Sequence, residues 1–209
     1  MSIAISTLLD ELGLVLHDPD SEVWTQTTRL AFLNEAINTI ALLRPDATAK
    51  TSEVALVADT PKQEIPSGGN RLLYVTRNVN TGTPIRKITR EDLNDIAVTW
   101  APQTVVEIDH YMFDDENPRG FYVFPVPDSV LPIEIVYSDT PAPVTAASTS
   151  MGISDVYLGP VKDYVLARCF RMETKGADYG KSDYHMQLFY NALGVKLQNE
   201  GILRAVQGE

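Results

Sequence analysis

Apolar side chains recur every three or four positions at both ends of this chain, and the period changes in between. Ile5, Leu8, Leu9, Leu12 and Leu16 fall on one face of a helix. Asp18-Pro19-Asp20 stops that helix. Thr25 is placed to cap the next, whose buried stripe is Leu30, Leu33, Ile37, Ile40 and Ala41. Arg44-Pro45 ends it, because the residue before a proline is pushed out of helical backbone space. Past Ser154 the helical period returns. Leu158, Val161, Val165, Cys169 and Met172 form one stripe. Met186, Phe189, Tyr190, Leu193 and Leu197 form another, with a turn at Gly176–Gly180 between them. Gly194 lies inside this last pattern, where a glycine costs about 1 kcal/mol relative to alanine.

Between these ends the chain reads as short strands. Glu53–Val57, Arg71–Val79, Thr104–Phe113, Gly120–Pro125 and Leu131–Ser138 are β-branched or aromatic runs bounded by Gly, Pro and Asp. Asp114–Gly120 joins two of them as a hairpin loop. Thr89-Arg90-Glu91-Asp92 caps a short helix ending near Ile96. Pro141–Ser150 is a linker of small residues. The pattern therefore predicts an α+β fold. Residues 1–50 and 151–200 form a helical body, 51–150 an inserted antiparallel β module, and 201–209 a C-terminal tail.

The length, 209 residues, suits one domain or one domain with a large insertion. A hydrophobic share of 44% and a charged share of 22% are ordinary for a globular chain. The lone cysteine, Cys169, rules out an internal disulfide and fits synthesis in a reducing cytoplasm. Charges or prolines interrupt every apolar stretch well short of ~18 residues, so no membrane-spanning helix is expected. Met1–Leu9 lacks a basic start and runs into Asp10 and Glu11, unlike a secretory signal.

The formal net charge is −11. That argues against binding a phosphate backbone, which depends on Lys and Arg. It is compatible with DNA passing a repelling wall. The charge is uneven. Ile65–Arg90 carries Arg71, Arg77, Arg86, Lys87 and Arg90 and no acid. Two readings stand: a solvated basic face, or a subunit interface with an acidic neighbour such as Asp114, Asp115 and Glu116. After Gly201, the apolar Ile202, Leu203 and Val206 either fold back or dock on a partner.

Motifs for chemistry fail on spacing. Gly176-Ala177-Asp178-Tyr179-Gly180-Lys181-Ser182 is one residue short of a phosphate-binding loop, and Asp178 would face the phosphates. Asp18, Asp20 and Glu22 alternate like the start of a calcium loop but lack its glycine and closing glutamate. His17, His110 and His185 show no metal-ligand spacing. Cys169 sits on an apolar stripe and reads as a structural thiol. No catalytic, cofactor-binding or metal-ligating residue is assigned.

A wider set of segments carries a family resemblance. It runs from Leu8-Leu9-Asp10-Glu11 through Asp18-Pro19-Asp20, Trp24-Thr25, Phe32–Ala36 and Leu43–Ala47 to Arg71-Leu72-Leu73 and Arg90–Asn94. It is densest in His110–Asp114, Pro118–Pro125 and Ile133–Ser138, and closes with Asp163–Leu166 and Leu193–Lys196. In order and coverage the chain resembles the head-to-tail connector proteins of tailed phages, and is similar in plan to adaptors of the tail tubular protein A type. The resemblance implies a non-enzymatic virion protein, assembled in the host cytoplasm and placed in the neck. It implies a ring, twelve-fold by preference, between portal and tail, with DNA passing through its lumen. It also implies that the C-terminal segment, here Gly201–Glu209, reaches into the portal. A tail-completion or collar ring is the nearest alternative. A tail-associated hydrolase, which needs paired carboxylates in a cleft, or a cytoplasmic regulator stand further off.

Overall fold

The computed structural model describes residues 4–96, 99–114, 116–172 and 176–194. The chain divides into two compact units, 1–44 with 141–209, and 45–140.

The first unit is helical. Helix α1 (Ile5–Val15) buries Ile5, Leu8, Leu9 and Leu12, and Leu16 follows them inward. Helix α2 (Gln26–Leu43) starts where Thr25 Oγ1 accepts the Thr28 N–H at 3.2 Å. It buries Leu33, Ala36, Ile37, Ile40 and Ala41. Helix α4 (Leu158–Arg171) buries Val161, Val165 and Cys169, and helix α5 (Tyr179–Ala192) follows it. Tyr164 of α4 meets Phe189 of α5 edge to face, centroids 5.0 Å apart. Arg168 pairs with Glu35 of α2 at 3.3 Å and lies over the Phe32 ring. Residues 141–150 belong to this unit and are held down. Asn34 of α2 exchanges two hydrogen bonds with the Val144 backbone, at 2.8 and 3.1 Å, and the Ile5 N–H donates to the Ser148 carbonyl.

Gly194 does not continue α5 as the periodicity suggested. Its φ is +70°, and its N–H donates to the Asn191 carbonyl. Left-handed backbone of this kind terminates a helix, and glycine adopts it without steric cost. The expected stripe residue Leu197 lies outside the described residues.

The second unit holds the strands. Its three-stranded sheet has the order β1 (Ala49–Ala55), β7 (Pro132–Asp139), β3 (Gly69–Asn78), antiparallel throughout. Its four-stranded sheet has the order β2 (Lys62–Glu64), β6 (Gly120–Phe124), β5 (His110–Phe113), β4 (Arg86–Lys87). One pair departs from the expected antiparallel pattern: β4 runs parallel to β5, with Arg86 opposite His110 and Lys87 opposite Tyr111. Leu72, Val75, Ile133, Ile135 and Tyr137 from the first sheet share one apolar core with Tyr111, Phe121 and Val123 from the second. The short helix α3 (Arg90–Ile96) starts at Thr89, whose Oγ1 accepts the Asp92 N–H at 3.2 Å.

Two buried amides replace missing ladder bonds. Gln63 bonds the Val57 N–H and carbonyl through its own side chain, at 2.8 and 2.9 Å. Asn78 does the same for the Ile108 N–H and carbonyl, at 2.9 and 2.8 Å. The segment before His110 therefore docks on a side chain. The strand expected from Thr104 is confined to His110–Phe113.

Candidate functional site

Strand β3 explains where the basic segment points. Its register against β7 slips three times, between Gly69 and Arg71, Leu72 and Tyr74, and Val75 and Arg77. Each bulge adds a residue and re-aims those after it. The buried positions become Gly69, Leu72, Val75 and Asn78, a spacing of three. Between the bulges the strand alternates normally: Leu72 turns into the core while its neighbour Arg71 is left exposed, beside a cleft.

That cleft has a volume of about 330 Å³ and is lined by Arg71, Leu72, Lys87, Phe113, Asp114 and Pro118. Lys87 Nζ stands 4.7 Å from the Phe113 ring centroid, a favourable seat for a cation over a π face. Asp114 enters from the β5–β6 hairpin and is already neutralised. Lys62 Nζ lies 2.8 Å from its carboxylate, and the Glu116 N–H donates to it at 3.2 Å. The Lys62 ammonium holds the Asp114 carboxyl below its usual range, and Asp114 in turn raises Lys62. Arg71 and Lys87 carry no ion pair among the described residues.

The other expected interface residues divide. Arg77 stands opposite Glu134 across the β3–β7 ladder and binds it through two nitrogens, at 3.0 and 3.4 Å. It serves its own sheet. Arg86 is exposed on β4. The Arg90 guanidinium lies 5.4 Å from the Tyr122 centroid, with Lys62 over the same ring at 5.9 Å. Arg90 and Tyr122 also line a smaller hollow of about 150 Å³ with Pro61, Asn94, Trp100 and Met112. Glu116 is exposed. Asp115 and the tail residues Gly201, Ile202, Leu203 and Val206 lie outside the described residues.

Two arginines outside the expected set organise the fold. Arg119 donates to three carbonyls, Gly69 at 2.7 Å and Ser67 and Pro66 at 3.2 Å, which pins the start of β3 beside the hairpin. Nothing in its local sequence signals this role. Arg29 is buried in the helical unit and donates to the carbonyls of Leu9, Trp24 and Asp18 and to Ser21 Oγ. A signal was legible here: Arg29 stands four residues before Leu33, on the buried stripe of α2.

The groups tested for chemistry have structural tasks. The Asp18 carboxylate accepts the N–H groups of Glu22, Val23 and Trp24. Burial works to raise its pKa. The three N–H groups and Arg29 outweigh that and leave it lowered. Burial pushes the Cys169 thiol up to about 12, so the nucleophilic thiolate is negligible at neutral pH. Asp178 caps α5 by accepting the Lys181 N–H at 3.0 Å. His185 Nδ1 bonds Asp163 at 2.8 Å while its ring stacks on Phe170. Among the described residues no group of three or more His, Cys, Asp and Glu could hold a metal, and no helix is long and apolar enough to cross a membrane.

Residues 3–207 match a family model described as SU10 adaptor protein. No curated protein matches the chain.

Proposed function

The chain belongs to the SU10 adaptor protein family, a family of structural phage adaptors, and on that premise we propose that it forms a ring between the portal and the tail. The single observation carrying this reading is the family match, which spans both the helical unit and the β module. In the proposed assembly about twelve copies stand side by side in the virion neck and prolong the DNA channel, on a plan like that of tail tubular protein A adaptors. Gly201–Glu209 docks on the portal. The protein works through contact area and symmetry, and carries out no reaction. Its surplus of 28 acidic over 17 basic residues suits a lumen that lets DNA slide past.

Contacts around such a ring are heterologous: each copy offers one patch on one flank and its complement on the other. Arg71, Arg86, Lys87 and Arg90 lack a carboxylate partner in their own chain among the described residues, which supports a role for this basic face in assembly. The test is to purify particles and count this chain against the major capsid protein by quantitative mass spectrometry. About twelve copies per particle is the expected result. About six would reassign the protein to a tail-side completion ring, and absence from the particle would overturn the adaptor reading.

A further inference from the structure

The cleft between β3, β4 and the β5–β6 hairpin has an unusual charge state for this molecule. The chain has an excess of eleven acids, yet here Arg71 and Lys87 flank one opening with no carboxylate of the described residues bound to either. The acid in the lining, Asp114, is taken by Lys62, with 9% of its side chain exposed. Phe113 and Pro118 add apolar surface to a lining that is mostly polar, and Lys87 lies over the Phe113 ring with no ion pair among the described residues. At about 330 Å³ the space suits one or two side chains of an inserted segment.

We infer that this cleft is a socket for a carboxylate-bearing segment of a second copy of the chain. A guanidinium and an ammonium on one rim bind a carboxylate, the guanidinium through two parallel N–H donors. Charge complementarity selects a second copy as occupant. A surface so rich in acids offers carboxylates to any cationic socket that meets it, and a ring delivers the same surface to every socket. This deepens the ring reading and rests on it. Asp114 lies inside the socket, bound to Lys62, so among the expected acids it is the one already engaged within its own chain.

A zero-length carbodiimide couples Lys87 only to a carboxylate in contact with it. Particles and the purified full chain, each assembled from equal parts ¹⁴N and ¹⁵N protein, are treated and digested. The expected product is a mixed-isotope peptide joining Lys87 to an Asp or Glu of another copy. Lys87→Arg should abolish the link while leaving assembly intact, since the charge is kept. Arg71→Glu should lower the link about tenfold through like-charge repulsion, with an unchanged denaturation midpoint showing that the fold survives. A Lys87 linked only to its own copy, linked to a different protein, or unlinked in both samples overturns the inference. The copy count fails separately: a chain absent from particles ends the adaptor reading, whereas twelve copies with an unlinked Lys87 ends only the socket.

Discussion

Single residues set the joint between α1 and α2. Arg29 is a buried cation each of whose three nitrogens donates to an acceptor, and Asp18 lies 3.9 Å from it with three N–H partners of its own. Removing one partner of such a pair leaves the other buried and uncompensated, so Arg29→Ala should cost about 3–5 kcal/mol in denaturant unfolding. Gly13 faces the same guanidinium. A Cβ there would collide with Arg29 Nη1, and Gly13→Ala should destabilise by about 1–3 kcal/mol despite its better helix propensity. The pH response follows from Asp18. Its folded pKa is lowered, so its contribution is fully present above the unfolded value of about 3.9 and is lost as pH falls through the folded value. The stability gap between wild type and Asp18→Asn, read from denaturation midpoints, should be wide at neutral pH and narrow under acid conditions. Cys169, with its thiol pushed up to about 12, should resist alkylation in the native protein and react on unfolding.

At the scale of elements, legibility followed length and regularity. The faces of α1 and α2, the Thr25 cap and the break at Arg44-Pro45 could be read because a long periodic run has one way to bury its stripe. Strands β2 and β4 could not. They are short and polar, and exist because β6 and β5 offer edges to pair with. In β3 the bulges impose a three-residue spacing on Leu72, Val75 and Asn78, so a period-two template finds the strand without its facing. Hence the basic residues could be picked out as a group while their division between a sheet ion pair, an aromatic seat and a cleft could not. Asn78 is the element-level hinge of this arrangement. Asn78→Ala would strand the Ile108 N–H and carbonyl in a buried site, and should cost about 1–3 kcal/mol by chemical denaturation.

At the scale of the whole molecule, the β module is an insertion between α2 and α4. Its first and last strands pair, with Ala49 opposite Ser138, so the chain enters and leaves the module side by side. Replacing Arg86 and Lys87 by Glu should leave the isolated chain folded, since both are exposed, and should reduce its incorporation into particles. Unchanged incorporation would detach the basic face from assembly.

The insertion also dictates an order of events during synthesis. Helix α2 packs on α4, but Arg44 and Arg171 are separated by the entire module. At about 5–20 residues per second, the ribosome needs roughly six to twenty-five seconds to cover that distance. Throughout that interval Leu33, Ile37 and Ile40 wait on a nascent helix pair without their main cover, while the β module has all its strands in hand and can close first. The module then acts as a temporal spacer. Crowded polysomes translating this chain should therefore be most vulnerable to mispairing of α2 stripes between neighbouring nascent chains, and slowing translation within the module should worsen that loss.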